Sequence, residues 1–353
     1  MANMQSVVLR DGNVRLETLE RPTPGPGQVL VKSLACGICG SDLHLARHTD
    51  EIFSLYQQMG MLPAELEAKP DIMLGHEFAA EVVEYGPETK GELPVGSRVT
   101  SVPILMSENG AGIGVSPGIH GAYSEFFLLD EALMLPLPEG VSPQAAAITE
   151  PLAVGLHAVN RSDISENDVA LVAGCGPIGL AVISALRLRG ITKIVASDPQ
   201  PTAQAMAQEF GASTAVNPME EDEVATAAEL AGEGRVIIFE CAGIRALLDS
   251  FIRRAPQRAS LIVTGVHTEP TEVNFAFAMV KEMDIKFTYY YTPEEFAECL
   301  QTIARGEVNW KALWTGTVGI DGVPAAFETL MQPNSHIKVI VEPWRSGGLE
   351  NTE

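Results

Sequence analysis

Two hydrophobic periods divide the chain. Up to about residue 150, apolar positions come in short runs near period two, broken by Gly and Pro. "SVVLRDGNVRLETLE" reads as two strands closing on Asp11-Gly12, the turn chemistry of a hairpin. "RPTPGPGQ" is a turn, "VLVKSLACGI" an apolar strand, and "FAAEVVEYG" and "GSRVTSV" are further strands. This predicts a β-rich partial barrel. After about residue 155 strands alternate with helices. "DVALVAGCGPIGLAVISALRLRG" is strand, glycine turn, helix; "KIVASD" is a strand, and "PTAQAMAQEFGA" a helix stopped by Gly211. "VIIFECAG" and "SLIVTGV" are buried strands. That alternation predicts a doubly wound parallel sheet, hence an α/β chain of two domains, 156–292 and 1–155 with the returning segment 293–353. The tail "RSGGLENTE" is expected to fray.

"GCGPIG" places Gly174, Gly176 and Gly179 in the order G-x-G-x-x-G, directly after a strand and at the opening of a helix. In that context Gly174 permits the tight turn, Gly176 lets the backbone approach a pyrophosphate, and Gly179 lets helix and strand pack closely. Pro177 and Ile178 start the helix, whose N-terminal amides suit phosphates. Asp198 closes the next strand, where a carboxylate accepts ribose hydroxyls and repels a 2′-phosphate. No Arg or Lys follows it in "PQPTAQAMAQ", so NAD is expected over NADP. An ordinary tight turn, with Asp198 as a helix N-cap before Pro199, is the plainer alternative.

Composition narrows the partners. A net charge of −23 argues against nucleic acid or an anionic membrane. No apolar run approaches the roughly 18 residues of a membrane span, and "MANMQSVVLR" lacks an apolar signal core, so a cytoplasmic protein is expected. The five cysteines are Cys36, Cys39, Cys175, Cys241 and Cys299. An odd, scattered set in a long chain is no disulfide framework.

"CGICGSDLH", Cys36 to His44, has three readings: a redox pair, half of a zinc knuckle, or one metal ligand beside a bystander. A redox pair would open a helix beside a βαβ unit, whereas this one ends a strand in a β-rich domain. A knuckle needs a second C-x-x-C, and there is none. "LGHEFAAEV" adds His76 and Glu77, and "TEPLAVGLHA" adds Glu150 and His157. Sulfur, imidazole and carboxylate form the donor set of a catalytic zinc with one open position.

These segments, with "HGAYSEF", "GCGPIG", "ASD" and "VTGV", resemble the zinc-dependent medium-chain dehydrogenase/reductases, the alcohol, sorbitol and threonine dehydrogenase superfamily, over nearly the whole chain. The resemblance implies a GroES-like β-rich catalytic domain plus a Rossmann domain, with the active site in the cleft between them. It implies one catalytic zinc per subunit on Cys39 and His76, with Glu77 either a direct ligand or a carboxylate exchanging with water, and Glu150 at or near the metal. It implies that Ser41 hydrogen-bonds the substrate, that His44 relays its proton to solvent, and that Gly265 and Val266 line the nicotinamide. The reaction so implied moves hydride between a small-molecule alcohol and NAD to give a ketone or aldehyde, in a homodimer or homotetramer.

Two stretches depart from the family. "SVPILMSENGAGIGVSPGIHGAY" has no cysteine, so no structural zinc of the four-cysteine type is expected there. The interval from Cys39 to His76 is long and holds "TDEIFSLYQQMGMLPAELEAKPD". Its Ile52, Leu55, Tyr56 and Met59 follow helical spacing with Asp50 as N-cap. Such a stripe faces the core, or borders the substrate and favours a bulky apolar or aromatic alcohol. A secondary, cyclic or aromatic alcohol is the first expectation; "EPLAVG" motivates a polyol or amino-alcohol alternative; a non-catalytic NAD-binding structural or regulatory protein is the third. His157 is expected to pack on its own helix, Cys241 and Cys299 to lie in the core, and the aromatics of "FTYYYTPEEF" to serve a dimer seam or the core.

Overall fold

The computed structural model describes residues 2–60, 62 and 70–352. The first elements are β1 (Asn3–Arg10), β2 (Asn13–Glu20), β3 (Gln28–Gly37), α1 (Gly40–Arg47) and α2 (Thr49–Gln58). β4 (Ile72–Met73), β5 (Glu77–Tyr85), β6 (Arg98–Ser101), β7 (Ile104–Leu105), β8 (Ala111–Gly112), β9 (Phe126–Asp130) and β10 (Met134–Pro136) follow, then α3 (Pro143–Ala147) and α4 (Thr149–Arg161). The alternating stretch is β11 (Val169–Ala173), α5 (Pro177–Leu188), β12 (Ile194–Ser197), α6 (Pro201–Glu209), β13 (Thr214–Val216), α7 (Glu223–Ala231), β14 (Val236–Glu240), α8 (Arg245–Arg254), β15 (Ser260–Val263), α9 (Phe275–Lys281) and β16 (Asp284–Phe287). The chain ends with α10 (Pro293–Ala304), α11 (Trp310–Leu313), β17 (Trp314–Gly319), α12 (Val323–Leu330), β18 (Lys338–Glu342) and β19 (Glu350–Asn351). It divides into two compact units, Met1–Glu150 with Leu300–Glu353, and Pro151–Cys299.

In the first unit β1 and β2 pair in register from Arg10↔Asn13 outward. Asp11 and Gly12 both take positive φ, 49° and 73°, which is the two-residue turn that matches strand twist. The larger sheet runs β10-β6-β5-β3-β18-β17-β19, with β9 also on β3. β3 alternates little because both its faces are covered, and Val29, Leu30, Val31, Ala35 and Cys36 are all buried. The cysteine-free stretch forms the β7–β8 hairpin, and Asp130 pins its entry by accepting from the Met106 and Ser107 amides.

Two local expectations change, and one open alternative is decided. α2 begins after His48 rather than Asp50, because α1 and α2 abut and share His48 as the joint residue; Asp50 supplies first-turn negative charge instead. On α2 the buried apolar residues are Ile52 and Phe53, with Tyr56 packed on the same core and Met59 exposed, so the stripe faces the core. Part of the inserted stretch, residues 61 and 63–69, lies outside the described residues. The tail is not frayed through Thr352. β19 pairs with β17, and the Thr352 hydroxyl donates to the Trp314 carbonyl at 2.6 Å.

The second unit is a six-stranded parallel sheet in the order β13-β12-β11-β14-β15-β16. Every residue of β11 and β14 is buried, as a strand with helices on both faces requires. The direction of connection reverses between β11 and β14, which puts the ligand-binding crevice of such a sheet at their C-terminal ends. His157 Nδ1 donates to Glu295 Oε2 at 2.8 Å rather than packing passively.

Candidate active site and nucleotide cradle

β3 ends at Gly37 and the chain turns through Ile38 into α1, whose N-cap is Cys39. The C-x-x-C pair therefore spans a strand end and a helix start. The helix start discounted from the sequence is present, and what separates the two cysteines is their surroundings. Cys36 is fully buried in the sheet; burial first, then the charges of Asp42 and Glu77, push its thiol well above the ordinary range. Cys39 is half-buried at the helix end. His76 and Glu77 come from the start of β5, the strand paired with β3, where Glu77 lies opposite Gly37. Gly75, with φ of 106°, sets them there: a Cβ at this glycine would lie 2.6 Å from the Tyr123 amide nitrogen.

This brings Cys39 Sγ, a ring nitrogen of His76 and a carboxylate oxygen of Glu77 within 4.8 Å of one another. Ligands around one tetrahedral zinc, with bonds of about 2.0–2.3 Å, lie about 3.6 Å apart. The three donors therefore fit one ion after a small contraction. Glu150 is buried at the start of α4 but falls outside that group among the described residues.

The second circle of residues explains the geometry. Asp42 is 1% exposed. Its Oδ2 accepts the Cys39 N–H at 3.1 Å and the Tyr123 hydroxyl at 2.7 Å, while Oδ1 faces His76 Nδ1 at 3.4 Å. With Nδ1 turned to a carboxylate, Nε2 is the nitrogen left to ligate; it lies 3.5 Å from Ser41 Oγ. Burial opposes charge on His76, but Asp42 and the Cys39 sulfur outweigh it and raise the imidazole well above its usual range. Lys338 of β18 donates to both Glu77 oxygens at 2.7 Å and to the Ile38 carbonyl at 3.2 Å. Burial lowers its pKa, and Glu77, Cys39 and Glu150 together raise it above the ordinary lysine value. The cluster thus balances one buried ammonium against acidic donors. His44 lies on the same helix as Ser41, half-buried, in a pocket lined by Gly40, Leu43, Arg47, Leu330 and Met331.

Asp42, Tyr123 and Lys338 escaped sequence reasoning. Asp42 stood inside the quoted motif. Lys338 had one signal, a lone ammonium in the apolar strand "IKVIV". Tyr123 had none.

In the second unit Gly174 takes φ of 92°, and a Cβ there would lie 2.9 Å from the Ala242 nitrogen. A Cβ on Gly179 would lie 1.9 Å from the Gly174 carbonyl oxygen, whereas one on Gly176 would meet nothing within 4 Å. Gly176 caps α5, and Pro177 and Ile178 form its first turn. The turn is tight at two glycines and open at the third, which is the cradle a pyrophosphate needs. Asp198 Oδ2 accepts the Cys175 N–H and Oδ1 the Gln200 N–H, both at 2.9 Å. Asp198 is not the cap of α6, which is Gln200. Gly265 is half-buried, and Val266 beside it is exposed.

The alcohol dehydrogenase GroES-like domain model matches residues 25–139, and the zinc-binding dehydrogenase model matches residues 177–305. The (R,R)-butanediol dehydrogenase of Bacillus subtilis (strain 168) is 33% identical over 342 residues, covering 94% of this chain and 97% of that protein. The chain belongs to the zinc-dependent medium-chain dehydrogenase/reductases. The sorbitol dehydrogenase of Bos taurus is 31% identical over 343 residues, 93% of this dehydrogenase and 92% of that one. The crystal structure of 2R,3R-butanediol dehydrogenase from Bacillus subtilis superposes with a TM-score of 0.82 at 31% identity, over 96% of this chain and 99% of that one. The GroES-like and Rossmann architecture expected from the sequence is the one found. This dehydrogenase is a zinc-dependent oxidoreductase that acts on CH–OH donors with a nicotinamide cofactor. No helix among its described residues is long and apolar enough to cross a membrane.

Proposed function

We propose that this dehydrogenase oxidises a secondary alcohol to its ketone with NAD, at the site built from Cys39, His76 and Glu77. The observation that carries it is their convergence within 4.8 Å. Cys39, His76 and Glu77 would hold a zinc ion that would supply Lewis acidity at an alcohol oxygen, and a dinucleotide held on the glycine turn would supply the hydride acceptor. The chain's own residues do the rest. Asp42 fixes the His76 ring so that one nitrogen serves as ligand. Lys338 holds Glu77 in reserve: a carboxylate clamped at both oxygens by an ammonium reaches a metal only when that clamp loosens. Ser41, at the edge of the cluster, accepts the alcohol proton as it releases its own toward a ribose hydroxyl and His44, whose imidazole on the same helix passes it to solvent.

NAD is favoured over NADP by Asp198, whose carboxylate is anchored on the glycine turn by the Cys175 amide. Replacing Asp198 by Gly is expected to move the ratio of NAD to NADP affinity toward NADP by at least tenfold; an unchanged ratio removes the argument. The stretch "SVPILMSENGAGIGVSPGIHGAY" holds no cysteine, which argues against a closely spaced four-cysteine structural zinc, and zinc analysis at one ion per chain tests that.

Because Ile52 and Phe53 face the core, α2 lends no support to a bulky aromatic substrate. The named substrates of the butanediol and sorbitol relatives share a secondary carbinol beside a second hydroxyl. We place such a diol first and cyclic or benzylic alcohols second. A reduced-nicotinamide absorbance screen over vicinal diols, polyols, cyclic and benzylic alcohols decides between them; no turnover of any secondary alcohol by zinc-loaded protein contradicts the reading. Assembly as a homodimer or homotetramer is supported by the edge strand β16, whose Phe287 is exposed, and by the exposed Tyr289 after it and the exposed Phe275 and Met279 of α9. Light scattering tests it. A cytoplasmic location is supported by five free cysteines.

A further inference from the structure

Glu240 ends β14 and is completely buried. Its Oε1 accepts the N–H groups of Ala242 at 3.0 Å and Gly243 at 2.7 Å. Its Oε2 lies 3.0 Å from His267 Nε2, and a carboxylate oxygen only accepts, so that ring nitrogen is the donor. The Glu240 carbonyl accepts the amides of Thr264 and Gly265, each at 2.9 Å. One residue therefore fastens the loop after β14 to the loop after β15.

The fastening reaches the glycine turn. The Cys241 amide donates to the Ala173 carbonyl at 2.8 Å, and Gly174 packs so closely on Ala242 that a Cβ would lie 2.9 Å from its nitrogen. Gly265 is equally confined: a Cβ there would lie 2.5 Å from the Gly243 nitrogen and 2.6 Å from Glu240 Oε2. All of this sits at the C-terminal ends of β11, β14 and β15, where the strand order reverses. Within this packed edge Val266 is 61% exposed, an apolar face held out by a rigid base. His267 Nδ1 is buried and has no hydrogen-bond partner among the described residues. A buried ring nitrogen of this kind calls for a partner.

We propose that Glu240 and His267 form a positioning pair for the nicotinamide half of the dinucleotide, holding Gly265 and Val266 as the seat of the ring. This rests on the reading of Pro151–Cys299 as a dinucleotide-binding unit. The adenine half is met by the glycine turn and Asp198, so the pair acts on one end of the ligand and not the other. The buried carboxylate also favours the cationic oxidised ring over the neutral reduced one, since a charge in a low-dielectric site is felt at a distance.

The test is calorimetric binding to the full-length zinc-loaded protein, with NADH, NAD and ADP as probes and His267→Phe, His267→Asn and Glu240→Gln as variants. His267→Phe is expected to weaken NADH about tenfold while ADP stays within about twofold. His267→Asn, which keeps polar atoms near the ring position, is expected to recover part of the loss. Glu240→Gln, nearly isosteric, is expected to weaken NAD more than NADH. Equal loss for ADP and NADH means the pair only braces the sheet edge and overturns the proposal, as do unchanged affinities in all three variants. Failure of wild-type protein to bind ADP overturns the nucleotide reading itself, and the proposal with it.

Discussion

Replacing Lys338 by Met keeps the side-chain stem and removes the ammonium. Glu77, 1% exposed, then loses two 2.7 Å hydrogen bonds at once. Gly37 packs against it, so that a Cβ there would sit 2.1 Å from Glu77 Oε2. Breaking a buried pair from one side costs about 3–5 kcal/mol, and the Ile38 carbonyl loses a donor worth about 1 kcal/mol more. For a unit of this size the metal-free protein should melt about 8–24 °C lower by differential scanning calorimetry. Glu77→Gln added to Lys338→Met removes the stranded charge and should recover most of the loss. Zinc should recover part of it in the single variant, since the cation answers the same carboxylate. A Lys338→Met protein that melts within about 2 °C of wild type, or a double variant worse than the single, refutes the reasoning.

Other outcomes follow from the same geometry. Asp42→Asn leaves His76 without its carboxylate, and zinc affinity by chelator competition should fall about 10–100-fold. His76 has a raised pKa when folded without metal. Its contribution to stability is therefore full below the unfolded value of about 6.5 and is lost as pH rises through the higher folded value. The melting temperature of stripped protein should decline over that interval while zinc affinity climbs, because the metal needs the neutral ring; His76→Ala should flatten both profiles. Gly179→Ala drives a methyl to 1.9 Å from the Gly174 carbonyl oxygen, and should cost about 1–3 kcal/mol with loss of dinucleotide binding, read by calorimetry with ADP.

Local signals made most of the fold legible. The Asp11-Gly12 turn, the unbroken apolar runs of β11 and β14, and the glycine fingerprint each state their structure within a few residues, because turn chemistry and two-sided burial are short-range constraints. The candidate donors that converge, Cys39, His76 and Glu77, were legible for the same reason, as each sits in a compact motif. What was not legible was pairing over distance. Lys338 meets Glu77 across 261 residues, and Tyr123 meets Asp42 across 81; nothing local in either segment says which strand will lie beside which. The tail failed similarly. Gly, Ser and charge at "RSGGLENTE" favour fraying locally, and pairing of Glu350 and Asn351 with β17 overrides them. The C-x-x-C stretch misled in one respect: apolar residues through Ile38 hid the helix that Cys39 opens.

The central claim is that one cysteine of that pair, Cys39, joins His76 in holding the catalytic metal. Substituting cobalt(II) for zinc tests it most directly, because a bound thiolate adds a sulfur-to-metal charge-transfer band to the tetrahedral visible spectrum. That band is predicted in wild-type protein and in Cys36→Ser, with turnover of alcohol largely kept in the latter. It is predicted to vanish in Cys39→Ser together with activity. A band that survives in Cys39→Ser and disappears in Cys36→Ser would contradict the account.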